Sequence, residues 1–120
     1  MIYQFLALLF THWVADFVCQ SHWMASNKSK DNYALMLHVA VYSIILCIAT
    51  FVIFGPRYEY EIIKFVALNF ILHFITDYIT SRITSRLWAK QDIHNFFVVI
   101  GLDQLIHQLT LAGTMIWIFK

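Results

Sequence analysis

Hydrophobic residues fall into four long runs, at about 2–19, 34–54, 62–80 and 96–119, separated by polar connections. Each run is close to the ~20 residues that a helix needs to cross the hydrocarbon core of a bilayer. A chain of 120 residues is too short for a membrane barrel, which leaves helices as the way to satisfy the backbone in lipid. The pattern predicts an all-α fold with one transmembrane domain, 1–120.

The polar connections at 21–32, 55–61 and 81–92 are short. Short connections favour antiparallel neighbours, so the expected architecture is an up-down four-helix bundle. Gly55 and Pro56 mark a tight turn outside the bilayer in the second connection.

Composition supports a membrane protein over a soluble one. The chain is 61% hydrophobic and 12% charged, and a soluble domain of this size would need a more polar surface. The formal net charge of +1 gives no reason to expect a nucleic-acid partner. The expected partner is membrane lipid, with a lipid-like substrate and a homo-oligomer left open.

The distribution of basic residues predicts the orientation of the chain. The first and third connections carry five of the eight lysines and arginines: Lys28, Lys30, Arg82, Arg86 and Lys90. The opposite side carries Arg57, Lys64 and Lys120. Because cytoplasmic loops are enriched in basic residues, both termini are predicted to be non-cytoplasmic.

Acidic residues and histidines recur at one spacing inside the apolar runs. His12 and Asp16, His73 and Asp77, and Asp103 and His107 are each four residues apart, and the second run adds His38. On a helix this spacing places both side chains on one face. At ~1.5 Å rise per residue, all seven side chains can meet in the half of the bilayer next to the first and third connections.

Buried carboxylates in lipid need compensation, since each charge costs about 2.5 kcal/mol or more. No lysine or arginine within the spans is placed to pair with Asp16, Asp77 or Asp103, since Lys64 lies at an outer helix end. Imidazoles and carboxylates together form a ligand set for a divalent metal, zinc first, with manganese and iron as alternatives. Seven ligands exceed one tetrahedral zinc, which leaves two ions or one ion with hydrogen-bonded supporting residues. One His/Asp pair alone is more typical of a polar helix contact or a proton relay.

Three further polar residues are predicted to hydrogen-bond the ligands: Gln20, Asn69 and Gln104. Gln20 and Asn69 continue the faces of their pairs, although ordinary contacts between helices explain them equally well. Gln104 is adjacent to Asp103 and should point elsewhere unless its helix bends. The three aspartates are also candidates for a general base.

The runs HWVADFVCQSHWMASNK (12–28), HFITDY (73–78) and DQLIH (103–107), with the single histidine His38, resemble domain-of-unknown-function family 3307. That family consists of small membrane proteins of bacteria and their phages, so the resemblance implies a bacterial inner membrane. The pattern is more distantly similar to the YdjM-like inner-membrane proteins, which implies metal-dependent hydrolysis by analogy. The positions carried over are those of the ligand set, with Gln20, Gln104, Trp23 and Lys28.

Three functions fit these residues. The first is a membrane-embedded metal-dependent hydrolase acting on a lipid or lipid-linked phosphoester, with basic loop residues that attract an anionic headgroup or serve only as topology signals. The second is a metal or proton transporter or a channel subunit. A transport path needs polar residues across the whole membrane, whereas the outer halves of the second and third hydrophobic runs are apolar. This argues against transport. The third is a structural or regulatory protein whose metal staples the bundle.

Overall fold

The computed structural model describes all 120 residues, and the chain is helical throughout, with no strand. It has five α-helices: α1 (Ile2–Trp13), α2 (His22–Asn27), α3 (Asn32–Phe54), α4 (Glu59–Ala89) and α5 (Ile93–Ile118). A π-helical turn (Val14–Val18) continues α1, and a 3-10 turn (Pro56–Tyr58) joins α3 to α4. The helical class predicted from the hydrophobic pattern is therefore confirmed.

Three helical stretches are long and apolar enough to cross a membrane: Asn32–Phe54, Pro56–Ala89 and Ile93–Ile118. The first apolar stretch, Ile2–Val18, is shorter. These dimensions are compatible with an integral membrane protein.

Two of the polar connections are more helical than the sequence pattern indicated. The segment 21–32 contains α2, and most of 81–92 continues α4, which extends to Ala89 instead of ending near residue 80. Serines, threonines and basic residues in this part of α4 lower its hydropathy but do not break a helix, since only Gly and Pro do so strongly.

Short polar side chains define where the helices begin. Ser21 accepts a hydrogen bond from the backbone of Met24 at the start of α2, and Asp31 accepts one from Tyr33 at the start of α3. Asp92 caps α5, and hydrogen bonds from the side chain and backbone of Asn95 hold the pKa of that exposed carboxyl below its ordinary value.

Glycine and proline form the sharp turn between α3 and α4. Gly55 has φ 86°, a conformation that glycine adopts without a steric penalty, and Pro56 begins the following turn.

The interior divides into an apolar layer and a polar layer. The apolar layer joins the four long helical segments, which are α1 with its π-helical turn, α3, α4 and α5. It includes the stacked rings of Phe54 and Phe119, whose centroids are 3.9 Å apart. The polar layer lies toward the first and third connections and contains the histidines and aspartates. Twelve of the 24 buried residues are polar, while many large apolar side chains face outward. This distribution suits a chain whose outer surface meets lipid.

Packing is uneven around the molecule. α4 packs extensively against both α3 and α5, whereas α1 packs mainly on α3 and touches α5 only sparsely. Residues of both the first helical segment and α5 line a cavity that reaches Asp16 and Asp103 in the polar layer.

Candidate metal centre

Each of the four long helical segments contributes to a buried cluster of histidines and aspartates. The π-helical turn supplies Asp16, α3 supplies His38, α4 supplies His73 and Asp77, and α5 supplies Asp103 and His107. All are buried except Asp103, which is partly exposed.

Four of these side chains form one compact group. Nε2 of His38 lies 3.0 Å from Oδ1 of Asp16 and 3.1 Å from Oδ2 of Asp77. Nε2 of His73 lies 3.4 Å from Oδ1 of Asp16 and 3.3 Å from Oδ2 of Asp77. The two Nε2 atoms are 3.3 Å apart. We call Asp16, His38, His73 and Asp77 the first ligand group.

These separations match the edges of a small coordination tetrahedron. A zinc ion with bonds of about 2.0–2.1 Å needs ligand atoms about 3.3–3.4 Å apart. Two imidazole nitrogens and two carboxylate oxygens are also ligands that zinc accepts. The residues of the first ligand group therefore fit a divalent metal in both chemistry and spacing.

A second ligand group shares a side chain with the first. Asp16, Asp103 and His107 offer ligand atoms within 4.8 Å of one another. Nε2 of His107 is 3.4 Å from Oδ1 of Asp103 and 2.9 Å from Oδ1 of Asp77, whose other oxygen faces the first group. Asp16 belongs to both groups, and the two oxygens of Asp77 face both, so these two carboxylates would help to hold an ion in either group.

His12 lies beside these groups without belonging to either. Its Nε2 donates to Oε1 of Gln104 at 2.9 Å, because an amide oxygen can only accept. Its Nδ1, 2.9 Å from the hydroxyl of Tyr42, then accepts the phenolic proton when the ring is neutral. Both ring nitrogens have hydrogen-bond partners here, and His12 lies outside both ligand groups, so its role as a metal ligand stays a prediction.

Gln104 points into the cluster and not away from it. Its Nε2 donates to Oδ2 of Asp16 at 3.0 Å and to Oδ2 of Asp103 at 3.1 Å. One side chain thus links both carboxylates of the second ligand group to His12. Oδ1 of Asp103 accepts a further hydrogen bond from Thr80 at 2.6 Å.

The other two predicted hydrogen-bond partners lie elsewhere. Nδ2 of Asn69 donates to Oγ1 of Thr114 at 2.9 Å and to the carbonyl of Phe65, one level deeper in the apolar layer. Oε1 of Gln20 has no partner, although the residue borders a cavity that reaches Asp16.

One basic residue does reach the carboxylates. Nζ of Lys28, from the first connection, lies 3.4 Å from Oδ2 of Asp77. The hydrophobic runs contain no basic partner for these carboxylates, and Lys28 reaches them from outside those runs. A single ammonium does not balance three carboxylates, so the need for further positive charge remains.

A cavity of about 460 Å³ opens beside the second ligand group. Its floor includes Asp16, Asp103 and Gln104, and its walls come from the first connection and from the ends of α4 and α5 nearest the third connection. We call it the polar cavity, because eleven of its sixteen lining residues are not hydrophobic.

Helical spacing would have found three of the residues that the sequence interpretation overlooked. Tyr42 follows His38 by four positions, and Ser81 follows Asp77 by four, while Thr80 follows Asp77 by three. Each lies on the ligand face of its helix. Hydroxyl side chains carry no metal signal by themselves, which is why the His/Asp pattern did not single them out.

Comparison with known proteins gives one assignment. No curated protein and no solved structure matches the chain significantly. The model of one protein family, described as "Protein of unknown function (DUF3307)", matches residues 4–120. The match spans nearly the whole chain, including every residue of both ligand groups, and the chain therefore belongs to the DUF3307 family.

Proposed function

We propose that this protein is a membrane-embedded metal-dependent hydrolase with a two-metal His/Asp centre, acting on a lipid or lipid-linked phosphoester. The observation that carries the proposal is the pair of ligand groups that share Asp16 beside an open cavity. Zinc is the proposed metal, because the atoms of the first group have the spacing of its tetrahedron.

The proposed setting is a bacterial inner membrane, with the helices arranged as an up-down four-helix bundle. Both termini are on the non-cytoplasmic side, and the centre lies near the cytoplasmic leaflet. The excess of basic residues in the first and third connections supports this orientation. A relationship to YdjM-like metal-dependent hydrolases is part of the same proposal.

Bound divalent metal would supply a lowered pKa for water and a counter-charge for phosphoryl oxygens. His38, His73, Asp77, Asp16, Asp103 and His107 would hold it. Asp103 is the proposed base, because it is the one partly exposed carboxylate of the cluster and it borders the cavity. Hydrolysis adds the oxygen of water to phosphorus and breaks one P–O bond, while a proton passes through Asp103 to the leaving alcohol.

The hydrogen-bonded chain from Tyr42 through His12 to Gln104 would hold Asp16 and Asp103 in fixed orientations. Oriented supports of this kind raise metal affinity and reduce the rearrangement that catalysis needs.

Transport is less well supported. A transport pathway needs polar groups across the whole membrane, whereas the layer beyond the cluster is packed with Leu46, Phe65, Leu111, Met115 and Phe119. This apolar layer speaks against a continuous route for an ion or a proton.

The test is metal analysis of detergent-purified protein, followed by a hydrolysis assay with zinc or manganese that measures inorganic phosphate from phosphatidic acid, a phosphomonoester, and the released alcohol from phosphodiester lipids. We expect bound zinc or manganese, with His73→Ala and Asp77→Ala abolishing both binding and turnover. His94→Ala, at the exposed start of α5, is the matched control. Metal no higher than background in the wild-type protein would reject the proposal. Bound metal without hydrolysis, together with a metal-free variant that still folds and keeps its biological effect, would favour a structural role.

A further inference from the structure

The polar cavity contains hydrogen-bonding atoms without partners. Oγ of Ser81 and Oε1 of Gln20 are both buried and make no hydrogen bond, although both residues line the cavity. Ser81 is only 7% exposed. A buried hydroxyl without a partner costs free energy, so its position favours a ligand that accepts a hydrogen bond there.

The lining carries two lysines as well as the two carboxylates of the floor, Asp16 and Asp103. Lys28 and Lys30 both line the cavity, and Lys28 is also the residue whose ammonium reaches Asp77. Its side chain therefore extends from the cavity wall to the edge of the first ligand group. Further hydroxyl groups come from Ser26, Ser29, Thr84 and Ser85.

Apart from these two carboxylates and two amides, the polar side chains of the lining are ammonium and hydroxyl groups, which are complementary to an anion with several acceptor oxygens. A phosphate group has this character, and charge-assisted hydrogen bonds to its oxygens are among the stronger polar contacts in proteins. The volume of about 460 Å³ lies within the ordinary range for small-molecule sites.

Part of the cavity lining is apolar. It includes Phe17, Trp88, Phe96 and Ile100, and Phe17 and Trp88 are about half exposed. Phe17 follows Asp16 in the π-helical turn, and Ile100 is on α5, so both the first helical segment and α5 contribute apolar lining. A ligand with a phosphate and an acyl chain would find partners for both.

We propose that the polar cavity binds the phosphate of an anionic phospholipid headgroup, with Lys28 and Ser81 contacting its oxygens and the acyl chains leaving past Phe17 and Ile100. This inference rests on the proposed function for its substrate class and specifies where that substrate is held. It makes Lys28 and Ser81 binding residues beside the metal centre.

Binding can be measured without turnover, by native mass spectrometry of the full chain in detergent with phosphatidic acid, phosphatidylcholine or inorganic phosphate. We expect one retained phosphatidic acid and weaker retention of the zwitterionic lipid. Ser81→Ala and Lys28→Met should each lower the affinity by about tenfold or more, the loss expected for a hydrogen bond to a charged group. Lys90→Met removes the same charge from the third connection outside the cavity and should bind like the wild type.

The inference would be overturned if Ser81→Ala, Lys28→Met and Lys90→Met all bound phosphatidic acid with the affinity of the wild type. Competition by inorganic phosphate as strong as that by phosphatidic acid would overturn its lipid part. Metal content of the same samples separates this result from the proposed function. Bound zinc with unselective lipid retention rejects the inference alone, whereas selective retention without bound metal rejects the hydrolase and leaves the cavity assignment standing.

Discussion

Oδ1 of Asp16 lies 3.0 Å from Nε2 of His38, and this contact joins the π-helical turn to α3. It is shorter than the 3.6 Å between Asp16 and His12, its neighbour one turn away on the same helical segment. The shortest contacts of the cluster therefore join different helices. Each His/Asp pair on one helix brings two side chains to the same centre.

The number of bound ions follows from the two ligand groups. Wild-type protein saturated with zinc should hold two ions per chain, measured by inductively coupled plasma mass spectrometry after desalting. Asp103→Asn should leave about one, because Asp103 belongs only to the second group. Asp16→Asn should weaken both, since Asp16 belongs to both. A wild-type value of one ion would instead indicate one metal with hydrogen-bonded supports.

Gln104 should support the metal centre without binding the ion. Its amide links Asp16, Asp103 and His12, so Gln104→Ala should lower zinc affinity about 10-fold to 100-fold in competition with a fluorescent chelator. Gln108→Ala removes an exposed amide one turn further along α5, with no contact to the ligand groups, and should leave affinity unchanged. Equal effects of the two variants would contradict this role.

Asn69 should contribute to stability and not to metal binding. Asn69→Ala is expected to lower the free energy of unfolding by about 1 kcal/mol, a usual value for a hydrogen bond between membrane helices. The measurement is a denaturation curve in mixed micelles, with zinc content as the second readout. Thr114→Val should cost about as much, and the double variant little more than either single variant, because both changes remove one contact. Additive losses or a fall in zinc content would argue against this assignment.

The predicted orientation can be tested by cysteine labelling in intact cells. Cys19 and Cys47 are free and would first be replaced by serine. In that background, Lys120→Cys should react with a membrane-impermeant maleimide, whereas Lys90→Cys should react only after the cells are permeabilised. The reverse pattern would invert the topology and move the centre to the other leaflet.

Features that depend on the residues of a single helix could be predicted from the sequence. Long apolar runs predicted the four long helical segments, and the spacing of His73 and Asp77 placed both on one buried face of α4. Prediction at this level needs only the helical period, because the groups are related by rotation about a single axis.

Contacts between side chains of different helices and connections were harder to predict from the sequence. Lys28 reaches Asp77 because the first connection folds back over the cluster, and no pattern within a span encodes that approach. Asn69 lies on the predicted face of α4 but contacts Thr114, because helical spacing fixes a direction and not the level at which α5 offers a partner. Gln104 was expected to point away from Asp103, yet its long side chain reaches back along the helix surface to that carboxylate.

The wider turn at Val14–Val18 is the place in the first helical segment where a change of length can be absorbed. The amide of Cys19 donates to the carbonyl of Val14, five residues back, so this turn holds one residue more than an α-helical link needs. Deleting Val14 or Val18 would restore an ordinary helix, and the residues before the turn would keep nearly the same face, because the wider turn already takes up the extra residue. Leu8 and His12 would then stay in the interior, and every side chain of both ligand groups would still be encoded. By contrast, a one-residue deletion in the regular part of α1 between them would rotate Leu8 by about 100° relative to His12. A deletion within the turn is therefore expected to be less damaging than a deletion within α1.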